Sequence, residues 1–148
     1  MVKTISPPLL YQIAIVLMVL FHFLFPIAKI IPFPFNLIGI IIFVLGAGLA
    51  INAKRLFQKT NTPIKPSDLP INLHQQGPFR FSRNPMYLGI SIGLLGIAII
   101  LGSVSAFLFP IMFFVVMDLI FIPHEEKAMQ SVFGEEYQLY KSKIHRWI

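Results

Sequence analysis

The chain has no cysteine. That excludes disulfides, thiolate nucleophiles and cysteine-based metal sites, while leaving the compartment unread. Charge is scarce too. Only 12% of the 148 residues are charged and 56% are hydrophobic, with a mean hydropathy of +0.77. A soluble domain of this length needs a far more polar surface. The phosphate cradle GxxxxGK[ST], the dinucleotide fingerprint and the GxSxG nucleophile elbow are all missing, which argues against hydrolysis through a covalent enzyme intermediate. His74, His124 and His145 show no metal-like spacing and His22 stands alone in an apolar run, so no metal is expected.

What the chain does have is apolar runs. They cover residues 9–25, 37–53, 86–101 and 106–122, each near the lower end of the roughly 17–25 residues that cross a bilayer as a helix. They lack the apolar–polar alternation of a membrane barrel, and helices are the other way to satisfy a backbone in lipid. The expected fold is an all-α integral membrane protein, one membrane domain over 1–148. It has four transmembrane helices, a long cytoplasmic loop and a C-terminal interfacial helix within the tail 123–148. Lys3 before an apolar run resembles a signal peptide. No small-x-small cleavage site follows, and Pro26 and Lys29 end the run, so a retained first span is expected. Pro123 is expected to end the fourth span and start the tail helix, which Gly134 interrupts.

The connections differ. Residues 26–36 are short and proline-rich, and 102–105 (GSVS) form a tight helical hairpin. Residues 54–85 are long and polar, and Pro63, Pro66, Pro70, Pro78 and Pro85 argue for a fixed path rather than a helix. Lys54, Arg55, Lys59, Lys65, Arg80 and Arg83 lie in this connection, with Lys127, Lys141, Lys143 and Arg146 in the tail and Lys3 at the start. Only Lys29 falls on the other side of a four-span arrangement. By the positive-inside rule both termini and the long loop face the cytoplasm. The net charge of +6 then reads as anchoring to anionic headgroups, not as nucleic-acid binding.

One segment goes beyond what spanning a bilayer requires. Residues 77–89 read GPFRFSRNPMYLG and run from a basic island straight into the third span. Arg80, Arg83 and Arg146 can be interface anchors, or can grip a carboxylate through two parallel hydrogen bonds. Tyr87, Tyr137, Tyr140 and Trp147 can form an aromatic belt or wall a ligand. Glu125 and Glu126 suit a first helical turn, or one of them can meet a cationic ligand. Asp118 lies inside the fourth span, where a charge is costly and faces a protein interior or a water-filled cavity. Seven residues apart, Asp118 and Glu125 share a helix face. His22 reads as a packing residue or a ligand.

These residues resemble those of the isoprenylcysteine carboxyl methyltransferase family, and more distantly the phospholipid N-methyltransferases. The likeness rests on Arg-x-Pro-x-Tyr-x-Gly from Arg83 to Gly89, the Glu125–Glu126 pair, the stretch from Phe133 to Tyr140, and Arg146–Trp147. It covers roughly the C-terminal half. The resemblance implies S-adenosylmethionine as cofactor, held at the cytosolic side, and a lipophilic acceptor that enters from the bilayer. It marks Arg83, Asn84, Pro85, Tyr87, Gly89 and Glu125 as cofactor-binding, and Arg146 and Glu126 as catalytic. Membrane lipids are the surroundings, and a second subunit completing the substrate tunnel is compatible with the short chain. The family core often carries histidine where Asn84 stands; asparagine keeps the hydrogen bonding but cannot gain a charge.

The chemistry suits the inventory. A sulfonium donor needs no nucleophile, metal or cysteine from the protein, only alignment and exclusion of water. A carboxylate acceptor, the expected one, needs no base, and Arg146 would orient it. An amine acceptor needs a base, for which Glu125, Glu126 and Asp118 are candidates. Two other readings stay open: an NADPH-dependent membrane reductase, and a small transporter or scaffold in which Asp118 and His22 form a proton path.

Overall fold

A computed structural model describes residues 6–60 and 70–148, and these are all-α apart from one isolated bridge pair. Lys3, Pro63, Lys65 and Pro66 lie outside the described residues. The helices are α1 (Pro7–Leu24), α2 (Ile38–Lys59), α3 (Pro85–Leu101), α4 (Val104–Val116) and α5 (Ile122–Lys143). Among the described residues, α1, α2 with its leading turn, and the continuous run from α4 into α5 are long and apolar enough to cross a membrane. α3 is a shorter apolar helix. The protein is an all-α integral membrane protein.

The helices pack in the order α2–α3–α4–α1, with α3 also touching α1. Most of the large apolar side chains of α1 and α2 stay exposed, as surfaces facing hydrocarbon do. The core is narrow. Met18 of α1, Tyr87, Leu94 and Ala98 of α3, and Ala106, Phe109, Phe113 and Met117 along the α4 run are buried together. The α2–α3 contact is made by glycines. A Cβ added to Gly46 would strike the backbone of Gly93 and Gly89, and one added to Gly39 would strike Gly96 and Ile100. Without a hydrophobic drive between helices in lipid, such close backbone approach supplies the van der Waals contact that holds the pair.

The α3–α4 hairpin closes as the sequence indicates. Gly102 takes the left-handed conformation (φ 70°) that ends a helix, and a Cβ there would collide with Ile31 O. The connection after α1 folds back on this turn: the N–H of Ile30 and of Val104 donate to Gly102 O and Ala28 O, at 2.8 and 3.0 Å. His22 and Ser103 share a 2.9 Å hydrogen bond at the same end.

Two expectations are corrected. α2 runs on to Lys59, so Lys54, Arg55 and Lys59 sit on its last turns, not in the loop; these residues are good helix formers and nothing between 53 and 59 breaks the pattern. Pro123 does not end the fourth helix. The turn Met117–Phe121 is π-helical, and the chain stays helical through Pro123 to Lys143, kinked at Gly134 (φ 51°, ψ −120°). A proline clashes with the carbonyl four residues earlier, here Leu119, and that carbonyl lies within the widened turn. The break at Gly134 matches the sequence reading.

Of the long connection, residues 70–84 follow a defined route. Pro78 sits at the start of the 3₁₀ turn Gly77–Arg80, and Pro85 is the first residue of α3. Phe79 stacks on Phe57 of α2 with ring centroids 5.5 Å apart, and Tyr140 of α5 donates to Phe79 O at 2.7 Å.

The glycine interface makes a direct prediction. Gly46→Ala should destabilise the protein by about 1–3 kcal/mol, the usual cost of overpacking. Gly48→Ala, on the same helix with open space at its Cβ, should leave the thermal midpoint in detergent unchanged or raised. Equal midpoints for the two variants would contradict this packing.

Candidate functional site

Three pieces of chain meet at the end of the bundle opposite Gly102: residues 82–87 entering α3, residues 118–126 around the π turn, and the last residues, 144–148. Backbone groups fix the meeting. The N–H of Arg83 donates to His145 O at 3.0 Å. Ser82 Oγ and Asn84 Nδ2 both donate to Arg146 O, at 3.2 and 3.1 Å. The chain end is thereby pinned beside the Arg83 turn, which holds its side chains against the start of α5.

Glu126 is the hub. Its carboxylate takes Arg83 Nη2 on Oε1 at 3.0 Å, and Arg146 grips it with two bonds, Nε to Oε1 at 3.2 Å and Nη2 to Oε2 at 2.9 Å. Lys141 Nζ stands at 3.9 Å. The Glu126 side chain is 12% exposed and that of Arg83 8%, so that pair is desolvated and either partner is costly to remove; Arg146 is half-buried. Arg146 also reaches Asp118, from Nη1 to Oδ1 at 3.0 Å and to the backbone O at 3.3 Å. Trp147 Nε1 donates to the same Oδ1 at 2.9 Å, and the indole stacks on Phe114 with centroids 4.4 Å apart. The hydrogen bonds to Glu126, then to Asp118, hold the Arg146 guanidinium's pKa even further above its usual value.

Glu125 lies apart from this network. Tyr87 Oη donates to its Oε1 at 2.5 Å. Among the described residues no cation stands within ion-pair distance of it. Burial of its carboxyl raises its pKa from 4.5 to about 7, against the opposing pull of the Tyr87 hydrogen bond. Arg83 is incomplete in the opposite sense. Its Nη1 reaches Tyr137 Oη at 3.4 Å, but Nε is buried with no acceptor among the described residues. A buried donor left unpaired costs roughly 1–3 kcal/mol, more when charged.

The structure thus brings Arg83, Asn84, Tyr87, Glu125, Glu126 and Arg146 together. Pro85 is buried and serves as the first helical residue, where its missing N–H costs nothing. Gly89 is placed elsewhere: it faces α2, and a Cβ there would meet Ala50 N and Gly46 O. Asn84 spends its side chain on the chain end. His22 belongs to the far end, bonded to Ser103, and is separated from Asp118 by the length of α4, roughly 20 Å at 1.5 Å per residue.

Asp118 is the main addition to the site. Its charge inside a span was visible in the sequence, but its partners were not. The expectation that it shares a face with Glu125 fails by one residue. A π turn inserts an extra residue, which turns the following helix by about 100°, and Arg146 bridges Asp118 to Glu126 instead. Ser82, Tyr137 and Trp147 complete the surroundings.

The description of phospholipid methyltransferases matches residues 35–136, from the turn before α2 to just past the kink in α5. An uncharacterized protein of Haemophilus influenzae is 40% identical over 63 residues, which are 43% of this chain and the whole of that one. No solved structure matches. With the greater part of its length matched, and with the Arg83 turn and the Glu125–Glu126 pair inside the match, the chain is a member of the phospholipid methyltransferase family.

Proposed function

We propose that the protein is an S-adenosylmethionine-dependent methyltransferase that works at the cytoplasmic surface of a membrane on a lipophilic acceptor. The observation that carries this reading is a pair of unmet needs at one helix mouth. Among the described residues, Glu125 is a largely buried acid without a cation, and Arg83 Nε is a buried donor without an acceptor. S-adenosylmethionine offers a sulfonium to the first and an amino-acid carboxylate to the second. Tyr87 holds Glu125 in place, and Glu126 holds Arg83.

When bound, the cofactor supplies a methyl group already activated by the sulfonium charge. The chain's own residues have the simpler task of binding, orienting and excluding water, worth on the order of 7–11 kcal/mol in a well-aligned reaction. Trp147 stacks on Phe114 beside the network, on the side of the α4 run. The net charge of the network supports the cofactor too: Arg83 and Arg146 are matched by Asp118 and Glu126, leaving Glu125 to meet a positive ligand.

The acceptor reading shifts from the sequence expectation. Arg146 would have to leave Asp118 or Glu126 to orient a free carboxylate. A lipid headgroup acceptor, in keeping with the family's description, asks for no such exchange. Lys54, Arg55, Lys59, Arg80, Lys127, Lys141 and Lys143 lie exposed on elements that converge at this end, and Lys29 at the other. The positive-inside rule therefore favours a cytoplasmic mouth, four spans and both termini on that side.

Two outcomes test this. Calorimetry on lipid-supplied protein should show binding of S-adenosylmethionine, weakened about tenfold or more by Tyr87→Phe or Glu125→Gln, the scale of losing a hydrogen bond to a charged group. No binding by folded wild-type protein would contradict the reading. The second concerns pH. Below about 7 Glu125 is protonated and offers a sulfonium no charge; above it the carboxylate is formed. The affinity ratio of S-adenosylmethionine to the uncharged thioether S-adenosylhomocysteine should therefore rise as pH passes upward through 7. In the Glu125→Gln protein the ratio should stay flat. In the ligand-free protein the sign is reversed, because the raised pKa contributes stability at low pH that is lost as pH rises through about 7. A wild-type ratio flat from pH 5.5 to 8.5 would place the sulfonium elsewhere.

A further inference from the structure

Asp118 touches neither Glu125 nor Arg83, yet it ends a continuous line of contacts that reaches Arg83. Its Oδ1 takes Arg146 Nη1 at 3.0 Å, Arg146 grips Glu126 by two bonds, and Glu126 holds Arg83 Nη2 at 3.0 Å. Every link is charge-assisted, and the last, between Glu126 and Arg83, is largely desolvated. The π turn explains why an acid stands here. Widening the helix at Met117–Phe121 weakens its internal bonding, and the guanidinium donates to the Asp118 carbonyl as well as to its side chain. Trp147 adds a second donor to Oδ1 and an aromatic stack on Phe114. An ordinary α-helical turn would put residue 118 in line with Glu125; the inserted residue puts it in line with Glu126.

We propose that Asp118 is a positioning residue for the cofactor's amino-acid carboxylate: acting through Arg146 and Glu126, it fixes the Arg83 guanidinium so that Nε faces the ligand. The proposal rests on the methyltransferase reading above. It makes a prediction that a merely structural role does not. S-adenosylhomocysteine carries the carboxylate that Arg83 would meet, whereas 5′-methylthioadenosine keeps the adenosine and thioether and lacks the amino-acid part. Loss of Asp118 should weaken the first ligand and spare the second.

The test uses the full chain in nanodiscs of phosphatidylethanolamine and phosphatidylglycerol. Trp147 is the one tryptophan of the sequence, so intrinsic fluorescence reports its seat without labelling. In Asp118→Ala, acrylamide quenching of Trp147 should rise at least twofold. S-adenosylhomocysteine should bind at least tenfold more weakly, with methylthioadenosine within twofold of wild type. Asp118→Asn keeps an acceptor for the indole and loses the charge that Arg146 needs. It should leave quenching near wild type and still weaken S-adenosylhomocysteine selectively, which covers the case in which the alanine variant fails to fold. Equal weakening of both ligands in Asp118→Asn, or unchanged affinity for S-adenosylhomocysteine, overturns the proposal. If the wild-type protein itself binds neither ligand, the methyltransferase reading fails first and the positioning role falls with it.

Discussion

The contact on which the rest of this structure depends is the Glu126 carboxylate held between two guanidinium groups, Arg83 at 3.0 Å and Arg146 at 2.9 Å. It joins three stretches of chain far apart in sequence: the turn entering α3, the start of α5 and the chain end. The buried Arg83–Glu126 pair contributes little net stability, because desolvation offsets the attraction, but losing one of its partners costs about 3–5 kcal/mol. Its value here is geometric. The shared carboxylate ties the Arg83 turn, the start of α5 and the chain end together, and Glu125 and Tyr87 lie beside it.

A membrane protein of this size has few places to put such a cluster. Helices satisfy their own backbones, and a polar site must be built where they end or loosen. The chain uses three such places at once. α3 begins at Pro85 on a turn that donates to the backbone oxygens of His145 and Arg146; the α4 run widens at Met117–Phe121; and α5 stops at Lys143, so that the final residues return to the Arg83 turn. The apolar scaffold beneath is correspondingly plain. Gly46 and Gly89 let α2 and α3 touch backbone to backbone, which fixes the α3 mouth relative to Phe57, Phe79 and Tyr140.

Much of this was legible in the sequence because it follows from composition and local chemistry. Apolar runs interrupted by Pro26, Gly102 and Ser103 give both ends of α1 and α3 and the start of α4 within two residues of those seen. Gly134 was visible as a break since no other residue so readily adopts its backbone angles. The convergence of Arg83, Tyr87, Glu125, Glu126 and Arg146 followed the motif order. What escaped was register. Pro123 reads as a helix stop only if the turn before it is an ordinary α turn; in a π turn the clashing carbonyl has moved. The same inserted residue transfers Asp118 from the side of Glu125 to that of Glu126. Gly89 was read with the cofactor because it lies in the motif, although its missing side chain serves the α2 contact. Asn84 escaped for a different reason, since its partner is a backbone oxygen at the far end of the chain, which no local pattern marks.

The proposed function turns on whether S-adenosylmethionine would lie between Glu125 and Arg83. The most direct measurement is an experimental structure of the protein in lipid with S-adenosylhomocysteine bound. The ligand's sulfur is predicted beside Glu125 and Tyr87 and its carboxylate within hydrogen-bond distance of Arg83 Nε, with Glu126 still bridging Arg83 and Arg146. Ligand density at the Ser103 end of the bundle, or at the Arg83 end with its carboxylate turned away from that arginine, would contradict it.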